Sequence, residues 1–183
     1  SGPAKSLGRD MRLGLEAYFA RINGSGGING RRVRLVALDD GYVPAAAAEN
    51  MRRLIDEEQV LAVLGNIGTP TAEVTVPIAN EKRTLLFGAF TGAGLLRKTP
   101  PDRYVINYRA SYAQETGEMI GRLLEVGIRP YEIAFFSQND SYGDAGYDGA
   151  IRALEARGYN DATRLAHGRY ERNTVDVEEG LLT

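Results

Sequence analysis

The chain has 183 residues, of which 43% are apolar and 25% charged, with 22 Lys and Arg set against 24 Asp and Glu. A composition of that kind folds rather than staying disordered, and its balanced, scattered charge leaves no continuous basic face for a nucleic-acid backbone. Cys is absent, which excludes disulfides and thiolate chemistry, and no apolar window reaches the ~18 residues of a membrane span.

In chain order, Ser6 is placed to cap a helix. Its apolar positions Leu7, Met11, Leu15, Tyr18, Phe19 and Ile22 recur at three- and four-residue steps, which predicts one buried stripe. Gly24, Gly26 and Gly27 then end the helix, and Asn29-Gly30 makes a tight turn into a strand over Val33 to Leu38. Asp39, Asp40 and Gly41 close that strand. Pro44 opens a second helix with Ala47, Ala48, Met51, Leu54 and Ile55 on one face.

Val60 to Leu64 is unbroken apolar sequence, the pattern of a parallel strand covered on both faces. Thr69, as N-cap, and Pro70, at the first helical position, start a helix running to about Lys82. Strands follow over Thr84 to Phe87 and, past Pro100-Pro101, over Tyr104 to Asn107. Met119, Ile120, Leu123 and Leu124 mark a helix ending near Gly127. Then come a strand over Ile133 to Phe136, a helix over Asp144 to Arg157 and a strand over Thr163 to Ala166. Such alternation with short links implies an α/β fold with parallel sheets. The break near residues 107 to 113 divides the chain into a first α/β lobe, 1–108, and the start of a second, 109–183.

Four glycines within residues 24 to 30 invite comparison with a phosphate cradle. A dinucleotide fingerprint, however, puts its glycines after a strand and before a helix, and here the order is reversed. The spacing also fails, because Asn29 stands where the third glycine would be.

Ligands in open parallel sheets gather beyond the carboxyl ends of the strands, so the segments that follow strands hold the candidates. Asp39-Asp40-Gly41-Tyr42 could serve a metal or a phosphoacceptor but is also ordinary turn chemistry. Gly65 to Pro70 brings Gly68 and Thr69 to a helix start, where N–H groups and a hydroxyl suit a carboxylate. Gly88 to Gly94 combines small residues with Phe90 and Thr91, which lets a ligand approach the backbone closely. Ser137 to Asp144 contributes Tyr142, with a ring face and a hydroxyl beside a helix start. Catalytic patterns are poor: the single His167 has no thiol partner, and neither G-x-S-x-G nor H-E-x-x-H occurs.

With these loops in place, three stretches resemble the type I periplasmic solute-binding proteins of ABC importers, in particular the leucine/isoleucine/valine-binding group. They are SGPAKSLGRDMRLGLEAYFARINGSGGINGRRVRLVALDDGYVPAAA, VLAVLGNIGTPTAEVTVPIANEKRTLLFGAFTGA and IAFFSQNDSYGDAGYDG, in that order. The resemblance implies two Rossmann-like lobes that close over a small ligand by hinge bending, with no bond broken, no cofactor and no metal. It implies delivery to a membrane permease and a periplasmic location, the leader having been removed. By position, Thr69 matches the hydroxyl residue that holds the ligand carboxylate. Ala89 and Thr91 match the loop that contacts carboxylate and ammonium, with Gly68 and Phe90 beside them. Tyr142 matches the tyrosine that closes over the ligand, and Leu7 stands where the family has a tyrosine, an apolar wall in place of a hydroxyl.

The chain opens at the SGP loop without the family's first strand and spans about half the family's length, so it is expected to be part of a longer protein. A sheet lacking that strand would leave N–H and C=O groups unpaired on both neighbours. The expected role is capture of a small amino acid, apolar or branched-chain, or a related carboxylate. The alternatives are a receptor's ligand-sensing domain for an amide or aromatic acid, and a hydrolase or phosphoacceptor using Asp39 or Asp40.

Overall fold

The computed structural model describes residues 1–2 and 4–182. Pro3 of the opening SGP loop and Thr183 lie outside the described residues. In chain order the elements are α1 (Lys5–Gly24), α2 (Pro44–Asp56), β1 (Ala62–Leu64), α3 (Thr69–Glu81), β2 (Leu85–Phe87), β3 (Val105–Ile106), α4 (Tyr112–Glu125), β4 (Phe135–Gln138), α5 (Ser141–Glu155), β5 (His167–Tyr170) and α6 (Glu178–Leu181).

Two parallel sheets organise them. The first runs β1-β2-β3, with Val63 beside Leu86 and Leu86 beside Val105. The second pairs β4 with β5, Phe135 beside His167 and Gln138 beside Tyr170. Each sheet has its own core. Met51 of α2, Val76 of α3 and Leu86 of β2 close the first; Ile120 of α4 with Ile151 and Leu154 of α5 close the second. Met51, Leu86 and Leu154 are almost wholly excluded from water, and each such side chain contributes about 1.5–3 kcal/mol of transfer free energy.

Several local expectations are met. Pro44 sits at the start of α2, and the glycine run caps and turns: Gly27 N–H donates to Ile22 C=O at 2.9 Å, and Ile28 and Arg31 form an antiparallel bridge around Asn29-Gly30.

Others are corrected. Residues 33–38 form no ladder, because no strand among the described residues lies alongside them. For the same reason the apolar stripe of α1 is not buried: no residue of that helix is buried, and Leu7 is 45% exposed. Ser6 does not cap α1, whose N-cap is Ala4. The second-lobe strands begin later than the apolar runs suggest. Pro130–Glu132 and Ala162–Arg164 coil into single 3-10 turns, which push β4 to residue 135 and β5 to residue 167. Helix α5 starts three residues early, at Ser141, because Asp140 caps it by accepting the Tyr142 N–H at 3.0 Å. No helix among the described residues is long and apolar enough to cross a membrane.

Candidate functional site

Two loops leave the carboxyl ends of β1 and β2 side by side. Phe90 N–H donates to Asn66 C=O at 2.7 Å, and Gly68 N–H donates to Phe90 C=O at 3.2 Å. The isolated parallel bridge between Ile67 and Phe90 records the same contact. Thus 66–69 and 89–91, more than twenty residues apart in sequence, form one hydrogen-bonded platform beyond the carboxyl ends of β1 and β2.

Beneath that platform, Thr69 Oγ1 and Thr91 Oγ1 lie 2.6 Å apart, with the two residues 1% and 0% exposed. Gly68, not Thr69, is the N-cap of α3, and Pro70 is accordingly the second helical residue. Thr69 fails as a cap because its hydroxyl turns sideways to Thr91. Ala93 N–H also donates to Thr91 Oγ1, at 3.1 Å. Two hydroxyls own two hydrogens, and their mutual bond uses one. One O–H therefore remains to be offered, next to the first turn of α3, where backbone N–H groups lack intrahelical partners. Together these groups favour an anionic acceptor such as a carboxylate.

The remaining candidates divide by position. Leu7, Gly68, Phe90 and Tyr142 line a cleft of about 770 Å³ between the two lobes. Ala89 is buried and, with Thr69 and Thr91, stands behind this lining.

Two further residues of the cleft, Tyr42 and Arg109, have no ligand role assigned to them by sequence pattern. Tyr42 sits at φ +63° just past the Asp39-Asp40 turn, and its ring lies directly over Gly68. A Cβ on Gly68, itself at φ +97°, would overlap that ring, so only glycine fits. Gln138 Nε2 reaches across from the second lobe to the Tyr42 hydroxyl at 3.4 Å, and the Arg172 guanidinium lies 5.6 Å from its ring centre. Burial raises the Tyr42 pKa, so the hydroxyl stays protonated. Arg109 lies 5.0 Å from the Phe90 ring centre and 5.4 Å from that of Tyr112, and pairs with Glu115. The glycine at 68 is the one hint of a close approach in the sequence; Arg109, within the stretch 107–113 where the chain divides, gives none.

The second lobe reaches the platform through α4 and α5. Tyr112 N–H donates to Gly92 C=O at 2.8 Å, and Arg97 donates to the carbonyls of Ala93 and Arg109, at 2.9 and 2.6 Å, clamping the connection. Ser111 and Gln114 form a reciprocal capping box at the start of α4. Tyr142, 41% exposed, meets the Tyr112 ring edge-on at 5.4 Å, and burial of its hydroxyl raises its pKa.

Asp39 and Asp40 are occupied in their turn, accepting the N–H groups of Gly41 and Tyr42 at 2.9 and 2.8 Å. His167 is held by Ser137 Oγ at 2.7 Å and stacks on Tyr147 with ring centres 4.0 Å apart. Among the described residues no group of three or more His, Asp or Glu is placed to hold a metal.

Known proteins resemble this chain along its whole length. The periplasmic binding protein family matches residues 1–182. A protein of Brucella abortus named Leu/Ile/Val-binding protein homolog 7 is 29% identical, the match covering all of this chain and 46% of that one. Among solved structures, a possible leucine/isoleucine/valine-binding protein from Rhodopirellula baltica is 52% identical with a TM-score of 0.94, covering 100% of this chain and 48% of its own. A substrate-binding periplasmic protein from Ralstonia solanacearum is 32% identical with a TM-score of 0.85, covering 97% and 48%. The chain thus spans about half the length of the relatives it matches.

Proposed function

The chain belongs to the periplasmic binding protein family, and we propose that the protein of which it forms part is the solute-binding component of an ABC importer. It captures a small apolar amino acid or a related carboxylate between two lobes, the division falling near residue 108, and presents it unchanged to a membrane permease outside the cytoplasm. The names of the Brucella and Rhodopirellula relatives favour that ligand class.

The observation that carries this reading is the Thr69–Thr91 pair, with one hydroxyl hydrogen unspent beside a helix N-terminus and under an interlobe cleft. In this reading the ligand carboxylate accepts from that hydroxyl and from the first-turn N–H groups of α3. Ala89 offers close backbone approach, Leu7 and Phe90 wall the apolar group, and Tyr142 closes from the second lobe. The site has donors and apolar walls for holding a solute.

Titrating the intact protein with amino acids and small carboxylates, followed by mass spectrometry of the recovered ligand, tests the proposal. Saturable binding with the ligand recovered intact is expected, and ligand at ~100 times its Kd should stabilise the fold by ~2.7 kcal/mol. Turnover of the ligand, or no binding by any of them, would refute it.

A further inference from the structure

Resting on the cleft as the ligand site, we infer that the preferred ligand is a carboxylic acid bearing an aromatic ring, in place of a branched aliphatic one. The cleft is walled by rings from both lobes: Tyr42 and Phe90 on the first, Tyr112, Tyr142 and Tyr170 on the second. These rings are fixed by the protein itself. Tyr42 is pressed against Gly68, Phe90 and Tyr112 both lie near the Arg109 guanidinium, and Tyr142 meets Tyr112 edge-on. Pre-set aromatic walls cost little ordering entropy when a ligand arrives, and a ligand ring can join them in offset or edge-to-face contact. An aliphatic side chain receives the same burial but no ring-to-ring attraction.

Charge narrows the class further. Ring faces also attract cations, yet here Arg109 already serves Phe90 and Tyr112, and Arg172 serves Tyr42. A ligand whose apolar end is cationic would meet those guanidinium groups. A neutral ring would not, and its carboxylate remains directed at the unspent hydroxyl of Thr69 and Thr91.

The test is calorimetric titration of the intact protein with phenylacetate, phenylalanine, leucine and valine. One of the two aromatic acids is expected to bind about threefold to tenfold more tightly than either aliphatic one, the size of a single aromatic pair contact. Tyr142→Leu, at a half-exposed position, should bring the aromatic and aliphatic affinities to within about twofold; Phe90→Leu provides the same comparison from the first lobe. Leucine or valine binding at least as tightly as both aromatic acids overturns the inference while leaving the solute-binding proposal standing. Binding of none of the four, nor of any other small carboxylate, overturns both.

Discussion

The hydroxyls of Thr69 and Thr91 meet at 2.6 Å inside the protein although 22 residues separate them in the chain. Helix α3 and the loop after β2 are therefore pinned to one another at the point where a ligand would be gripped. Because both side chains are buried, each hydroxyl depends on the other. Thr69→Val and Thr91→Val, nearly isosteric, should each destabilise the fold by about 1–3 kcal/mol, the cost of an orphaned buried partner. Thr91→Val should cost more, since the Ala93 N–H loses its acceptor too. In urea unfolding, the double variant should lose less than the sum of the singles; strict additivity would mean the pair is not coupled.

Gly68 and Tyr42 form a second dependency, between a positive-φ cap and a ring lying on it. Gly68→Ala should destabilise by more than about 1 kcal/mol, through backbone strain and displacement of Tyr42. Gly14→Ala is the contrast, because Gly14 lies inside α1 with open space around it; that change should stabilise by about 0.5–1 kcal/mol. Thermal unfolding of both variants reads the difference. Equal effects would show that the Tyr42 contact is not what constrains position 68.

In the proposed site, Tyr142 would act on release more than on capture. It stands on the second lobe, half exposed, with the Tyr112 ring edge-on against it. Tyr142→Ala should raise the dissociation rate of a bound ligand several-fold while the association rate changes little, as is usual within one interface. Stopped-flow fluorescence separates the two; a change confined to association would place the ring on the entry route.

His167 gives a pH dependence with a defined sign. Burial, with the nearby Arg169, holds its pKa below the ordinary 6.5. The unfolded chain therefore takes up a proton before the folded one does, and stability is complete above about pH 6.5 and declines as the pH falls through that value. His167→Gln should flatten this part of the stability profile and leave ligand affinity nearly unchanged, since the ring is engaged with Ser137 and Tyr147. Equilibrium unfolding between pH 5 and 8 measures the slope, and an unaltered slope in the variant would assign the dependence elsewhere.

How much of this was legible in the sequence depended on how local the cause was. The turn at Asn29-Gly30, the Pro44 start of α2 and the apolar run of β1 were readable because adjacent residues determine them. Residues 33–38 have a strand's composition, yet a ladder needs a neighbour, which no local pattern supplies. The strand starts at Phe135 and His167 slipped because a 3-10 turn immediately precedes the run at Ile133 and another takes in Thr163 and Arg164. Of the candidates, Thr69, Thr91 and Tyr142 were readable from their places after strands, and Gly68 from its helix start. Tyr42 was hidden by a turn whose obvious readers were Asp39 and Asp40, and Arg109 by its position at the break between lobes. Their roles come from rings and cations that meet only in three dimensions.

The most direct test of the central claim is the affinity of Thr69→Ala for the ligand that the intact protein binds best. If the hydroxyl pair grips the carboxylate, the Kd should rise about fivefold to 150-fold, which corresponds to ~1–3 kcal/mol, while the corresponding amide or ester of that ligand should bind weakly to both proteins. An unchanged Kd in a folded Thr69→Ala variant would contradict the account and remove the pair from the binding site.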